Sequence, residues 1–222
     1  MAEKIVKPKK FTAEWFRYIW DYYKTHILVS VFVVIAATVV IADIANTVES
    51  DVTVNYIATN VFPLECAEQL ESTAGACIED INNDGKQHVT FSQLNFTDEV
   101  LQDGSQVMTY ENKRLISFAS EEEMLYIFDE FMLKSSIDMP AAEGIFVPVQ
   151  QWLDEENAGA TLYEYKGETC AVSLSESRVL KELGLDCSDM YIVVRMNYSP
   201  ENITLKERYE NCVVLANMLL EK

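Results

Sequence analysis

DVTVNYIATNVFPLECAEQLESTAGACIEDINNDGKQHVTFS, residues 51–92, decides the fold. From Asp51 to Ala58, Val52, Val54 and Tyr56 alternate with polar neighbours, the period-two pattern of a strand. Pro63 offers a helix start, and Leu64, Ala67, Leu70 and Ala74 recur at helical spacing until Gly75 provides a stop. Asn82-Asn83-Asp84-Gly85 is a turn, after which Val89 and Phe91 alternate with His88, Thr90 and Ser92 as a second strand. The order strand, helix, turn, strand is a β-α-β unit, whose apolar faces need further elements to cover them.

Outward from this unit on the amino side lies Thr25 to Ala42, THILVSVFVVIAATVVIA, a run without a charge. It is long enough to cross most of a hydrocarbon core about 30 Å thick, and Ile44 and Ala45 extend it past Asp43. Lys4, Lys7, Lys9, Lys10, Arg17 and Lys24 all precede it, interleaved near its start with Trp15, Phe16, Tyr18, Trp20, Tyr22 and Tyr23. A basic, aromatic flank on one side only is the signature of a cytoplasmic amino terminus with an interfacial belt. A cleaved signal peptide is the competing reading, with Val40-Ile41-Ala42 as the one passable cleavage site. Its basic region is normally short, whereas the stretch before Ile27 is long and aromatic. A buried core helix would show a polar face, which this run lacks, and no cysteine follows it closely enough for a lipoprotein anchor. The expected organisation is a cytoplasmic juxtamembrane segment over 1–24, a single transmembrane helix over 25–45 and an extracytoplasmic domain over 46–222.

Charge follows the same division. The chain has 17 Lys and Arg against 36 Asp and Glu, a net of −19; residues 1–26 carry +3, leaving −22 for residues 27–222. Nucleic-acid binding requires clustered cations to neutralise phosphates, so an outer part this acidic excludes it. The lipid bilayer is the expected partner of the basic head, at about 1 kcal/mol per cation near an anionic leaflet.

On the carboxyl side of the β-α-β unit, Gln106 to Ala119 reads as a helix, and Met124 to Phe128 as a buried parallel strand whose end meets solvent at Asp129-Glu130. Pro140, Gly144 and Pro148 punctuate the next stretch. Ala160 to Leu174 reads as one or two strands with a turn at Lys166-Gly167. Ser173 and Glu176 have capping-box spacing for a short helix that Gly184 ends. Met190 to Met196 is a further strand, and Leu205, Tyr209, Cys212, Val213, Ala216, Leu219 and Leu220 line one face of a closing helix. The expected fold is α/β: a transmembrane helix, then one domain with a mixed, largely parallel sheet.

Chemistry-bearing patterns are few. His26 sits at the membrane edge, so a nucleophile-histidine pair has only His88 to draw on. Phosphate-binding, dinucleotide, serine-hydrolase, zincin and C-x-x-C motifs are all absent, and no cofactor is expected. Asp80, Asn82, Asp84 and Gly85 match the start of a calcium loop, but its twelfth position is Phe91, where a bidentate carboxylate belongs. A structural turn is the favoured reading of these residues, weak metal binding the lesser one. Five cysteines, Cys66, Cys77, Cys170, Cys187 and Cys212, lie in the outer part, an odd number. A helix between Cys66 and Cys77 holds them about 16 Å apart, beyond disulfide reach unless the chain turns back near Gly75. Cys212 reads as a buried thiol, and Cys170 with Cys187 remains open as a pair. Sequons occur at Asn95, Asn197 and Asn202.

With these segments in view, the chain resembles membrane-anchored extracytoplasmic proteins of low-GC Gram-positive bacteria whose outer part is similar to one lobe of a periplasmic solute-binding protein. The resemblance runs over residues 15–221: the amino-terminal helix, DVTVNYI, the INNDGK turn, MLYIFDE, EGIFVPVQQWL, and CAVSLSESRVLKELGLDCSDMYIVVRM with its carboxyl helix. It implies a solute-binding-like α/β fold, a cell-envelope location and no enzymatic activity. The favoured function is a non-catalytic binding or accessory module for a small solute, a peptide or a membrane-protein partner. Open α/β sheets bind ligands beyond the carboxyl ends of their strands, which points to Thr59, Asn60, Asp129 and Glu130. The alternative is a cell-envelope hydrolase, which needs two carboxyl groups in one pocket, one with a raised pKa.

Overall fold

The computed structural model describes residues 10–46, 49–142, 144–196, 199 and 201–222. Lys4, Lys7 and Lys9 of the basic head, and Asn197 and Pro200 near the second sequon, lie outside them. The chain forms two compact units, one up to residue 48 and one from residue 49.

The first unit is helix α1 (Ala13–Asn46). Its 34 residues span about 51 Å at 1.5 Å per residue, more than the roughly 30 Å hydrocarbon core of a bilayer. Its most apolar window has a mean hydropathy of 1.9, and none of that window is buried. The Thr12 hydroxyl accepts from Trp15 N at 3.3 Å, and inside the apolar run the Thr38 hydroxyl donates to Val34 O at 2.8 Å, so that it needs no outside partner. Such a helix serves as a membrane anchor or a signal sequence.

In the second unit the alternation at residues 52–58 becomes β1 (Val52–Ala58), followed by α2 (Leu64–Gly75), β2 (Val89–Asn95), α3 (Asp98–Gln102) and α4 (Gly104–Ala119). Then come β3 (Leu125–Phe128), α5 (Glu130–Ile137), three 3-10 turns between residues 140 and 157, the hairpin β4 (Leu162–Tyr165) and β5 (Glu168–Ser173), α6 (Arg178–Glu182), β6 (Tyr191–Val194) and α7 (Ile203–Leu220). All strands join one sheet in the order β2-β1-β3-β6-β5-β4.

The sheet is mixed but not largely parallel. β1 pairs in parallel with β2, Val52 opposite Val89, and with β3, Val54 opposite Leu125. The other three pairings are antiparallel: β3 with β6, β6 with β5, and β5 with β4. A connection of two residues, as between β4 and β5, permits only an antiparallel pair. Lys166 and Gly167, both with positive φ (51° and 86°), close the β4-β5 hairpin as a two-residue primed turn requires.

Helices cover both faces. On one, Leu70 and Ala74 of α2, Leu180 of α6 and Leu215, Ala216 and Leu219 of α7 pack on Val52, Val54, Tyr56 and Ile192. On the other, Phe118 of α4 and Met132 and Leu133 of α5 pack on Ile57, Tyr126, Phe128 and Val193. Buried polar groups tie loops to this core. Asn217 of α7 donates to Trp152 O and accepts from Asp154 N, both at 3.0 Å. Asn211 exchanges two hydrogen bonds with the Glu79 backbone at 3.0 and 2.8 Å, as a strand partner does. Arg195, 6% exposed, donates to Phe118 O and Ser120 O at the end of α4.

Three local expectations are corrected. Ser173 lies in β5, and the residue that caps α6 is Ser177, whose hydroxyl accepts from Leu180 N at 3.3 Å. Asp129-Glu130 is not a solvated strand end: Asp129 is buried and starts α5. All five cysteines are free thiols, so Cys170 and Cys187 do not pair. Burial pushes the Cys212 thiol up to about 12. Of the sequon asparagines, Asn95 ends β2 with its Nδ2 on Gln93 Oε1, and Asn202 caps α7.

Candidate functional site: an acidic cleft at the carboxyl edge of the sheet

From β1 the chain passes through α2 to β2 on one side, then through α3 and α4 to β3 on the other. The carboxyl ends of β1 and β3 therefore flank the point where the winding reverses, the place where open α/β sheets leave a crevice. Because β6 runs antiparallel to β3, with Tyr191 opposite Phe128, the loop entering β6 arrives at this same edge. A cleft of about 370 Å³ results, lined among others by Tyr56, Asn60, Phe62, Asp129, Asp186 and Asp189.

Thr59 and Asp129 meet directly. Asp129 Oδ2 accepts from both Thr59 N and Thr59 Oγ1 at 2.6 Å, and its Oδ1 accepts from Met132 N at 2.7 Å. Both oxygens are thus committed to fastening the end of β1 to the start of α5, a structural task. Asn60 is exposed and borders the cleft. Glu130 stands apart from the lining and pairs with Lys134 at 2.6 Å, while its backbone N donates to Asp189 Oδ1 at 3.1 Å.

The cleft's electrostatics favour cations. Partial burial, then the charges of Asp129 and Glu130, raise the Asp189 carboxyl above the usual range; Ser188 holds Asp186 below it. Tyr56 is pushed up to about 12 by burial and by Asp129 and Asp189, so its phenol stays neutral. Sequence reasoning missed Asp186 and Asp189. DCSD at 186–189 reads as an ordinary polar loop, and only the antiparallel direction of β6 brings it to this edge.

The candidate calcium loop is used by its own backbone. Asp80 Oδ2 accepts from Gly85 N, Asn82 Oδ1 from Asp84 N and Asp84 Oδ1 from Lys86 N, at 2.8 to 2.9 Å. Among the described residues no group of three or more His, Cys, Asp or Glu is placed to hold a metal ion. Asp51, fully buried, closes the same loop from below, accepting from Ile81 N at 3.0 Å and His88 N at 2.8 Å. His88 is the hinge of that closure, its carbonyl accepting from Asp51 N at 2.9 Å.

No protein-family model matches this chain, and neither the curated proteins nor the solved structures contain a match to it. What fold and site define is an α/β domain with a mixed sheet, two pairings parallel and three antiparallel, and an acidic crevice at its winding reversal.

Proposed function

We propose that the protein is a single-pass membrane protein, amino terminus cytoplasmic, whose outer domain is a non-catalytic binding or accessory module. The acidic cleft receives a cationic group from a small solute, a peptide or a neighbouring membrane protein. The observation that carries this reading is the cleft itself: Asp186 and Asp189 border a cavity at the winding reversal while Asp129 is held by three hydrogen bonds. A carboxylate so committed is a poor proton shuttle but a good fixed charge. Support for the anchor comes from the long uncovered apolar helix and the one-sided basic and aromatic flank.

The hydrolase reading keeps one supporting observation, the raised pKa of Asp189 in a cleft shared with Asp129. A single experiment separates the two. A photo-crosslinking residue at Asn60 of the full chain, activated in its native membrane, should capture a defined partner or solute, and Asp189→Asn should reduce the capture. Capture of an envelope polymer that is shortened by wild type and left intact by Asp189→Asn would instead establish the hydrolase.

A further inference from the structure

The acidic cleft holds one polar group that nothing else in the chain answers. Tyr56 is 2% exposed and stands on the cleft wall, its ring held by Phe62 and Phe91 with centroids 5.2 and 6.0 Å away. Among the described residues its hydroxyl makes no hydrogen bond. Unlike Asn55 Nδ2 and Trp152 Nε1, the Tyr56 oxygen is not enclosed by the core, so it opens on the cleft. The charges of Asp129 and Asp189, both on the same wall, reach it there. A hydroxyl so placed loses its water without gaining a partner, a cost that a ligand with a hydrogen-bonding group recovers.

Three kinds of cation suit an acidic cleft, and its wall separates them. A quaternary ammonium needs open aromatic faces, whereas the Tyr56 ring is packed against its neighbours and Phe62 is 1% exposed. A guanidinium is held best by both oxygens of one carboxylate. Asp129 spends both of its own on Thr59 and Met132, Asp189 Oδ1 accepts from Glu130 N, and Asp186 Oδ1 accepts from Ser188 N at 3.1 Å. A primary ammonium asks only for single acceptors in different directions, which the Tyr56 hydroxyl and the second oxygen of Asp189 provide. A carboxylate on the ligand would find no counter-charge. Among the described residues no Lys or Arg lines the cleft, and Lys134, whose charge reaches Asp189, is paired with Glu130 at 2.6 Å. Phe62, Leu185 and Met190 add apolar wall, and a volume of about 370 Å³ suits a small molecule.

We infer, resting on the reading of this cleft as a cation site, that it binds a small primary alkyl amine that carries no carboxylate. The ammonium donates to Tyr56 Oη and Asp189 Oδ2, Asp186 adds charge, and the alkyl chain lies against Phe62, Leu185 and Met190.

The test is calorimetric titration of the full chain in detergent, with heats from protein-free detergent subtracted. The probes are isoamylamine, its N,N,N-trimethyl derivative, L-leucine, which adds a carboxylate, and Nα-acetyl-lysine methylamide, which presents the ammonium on a peptide. Isoamylamine should saturate by about 10 mM, and each of the others should bind at least about tenfold more weakly. Tyr56→Phe removes one oxygen and keeps the ring, so it should weaken isoamylamine about tenfold or more while thermal unfolding stays cooperative. Asp189 is exposed, so Asp189→Asn, which should also weaken isoamylamine, keeps the test decisive even where Tyr56→Phe alters the fold. Equal or tighter binding of any other probe, or undiminished binding by Tyr56→Phe, overturns this inference and leaves the cation site standing. If neither isoamylamine nor its trimethyl derivative saturates by about 10 mM, or if Asp189→Asn changes neither, the cation reading falls and this inference with it.

Discussion

At the scale of single residues, this acidic domain uses its carboxylates in two ways that composition does not separate. Asp51 and Asp129 are buried and saturated with backbone N–H donors. Removing either strands two or more donors, so Asp51→Ala and Asp129→Ala should each cost about 2–4 kcal/mol in urea unfolding, with Asn at each position recovering part of the loss. A loss near zero would mean that water replaces these bonds freely. Asp189, by contrast, is exposed and has a raised pKa. A carboxyl group that binds its proton more tightly folded than unfolded subtracts stability as pH rises through its folded pKa. Asp189→Asn should therefore melt slightly above wild type at neutral pH, and the gap should close as pH falls below about 3.9, the ordinary Asp value. A gap that widens on acidification would reverse the assigned sign. Asn55→Leu should stabilise the chain by about 1 kcal/mol, since it removes an unpaired buried amide. Strand order alone places Thr59 and Asp129 at the carboxyl edge of the sheet but gives no sign of the hydrogen bonds that tie them to each other. Asp51 was not legible, because a carboxylate that begins a strand gives no sign that a loop three dozen residues later will close on it.

At the scale of elements, regular periodicity translated well and direction did not. The β1-α2-β2 unit, α4 and α7 stand where apolar spacing places them. The two helices begun by Asp129 and Ser177 are short, eight and five residues, too brief for a period to register. Met124 to Phe128 and Met190 to Val194 are both continuous apolar runs, and such a run looks the same whichever way its neighbour points. The hairpin is the exception, since its turn chemistry fixes its geometry. Gly167 has a φ of 86°, and a Cβ at this position would meet nothing within 4 Å. Gly167→Ala should thus cost about 1 kcal/mol from backbone conformation alone, measurable as a lowered thermal midpoint. An unchanged midpoint would show that the turn relaxes to another type.

For the molecule as a whole, the proposed topology is tested by a thiol already present. Cys77 is exposed and free, whereas Cys170, Cys187 and Cys212 are buried. A membrane-impermeant maleimide added to intact cells should label Cys77, and Cys77→Ser should abolish the fast reaction. In that background Lys10→Cys should react only after permeabilisation; the opposite pattern would invert the protein in the membrane. The α/β class and the uncharged helix with its one-sided basic flank can both be read before the chain folds. Those properties live in local periodicity and charge, which any stretch of the chain carries with it. The antiparallel pairings of the sheet, the arrival of Asp186 and Asp189 beside Asp129, and the burial of an unpaired Asn55 amide emerge only in three dimensions. Each of these depends on which segments meet across long stretches of chain, and burial and hydrogen bonding settle that only when the whole core closes.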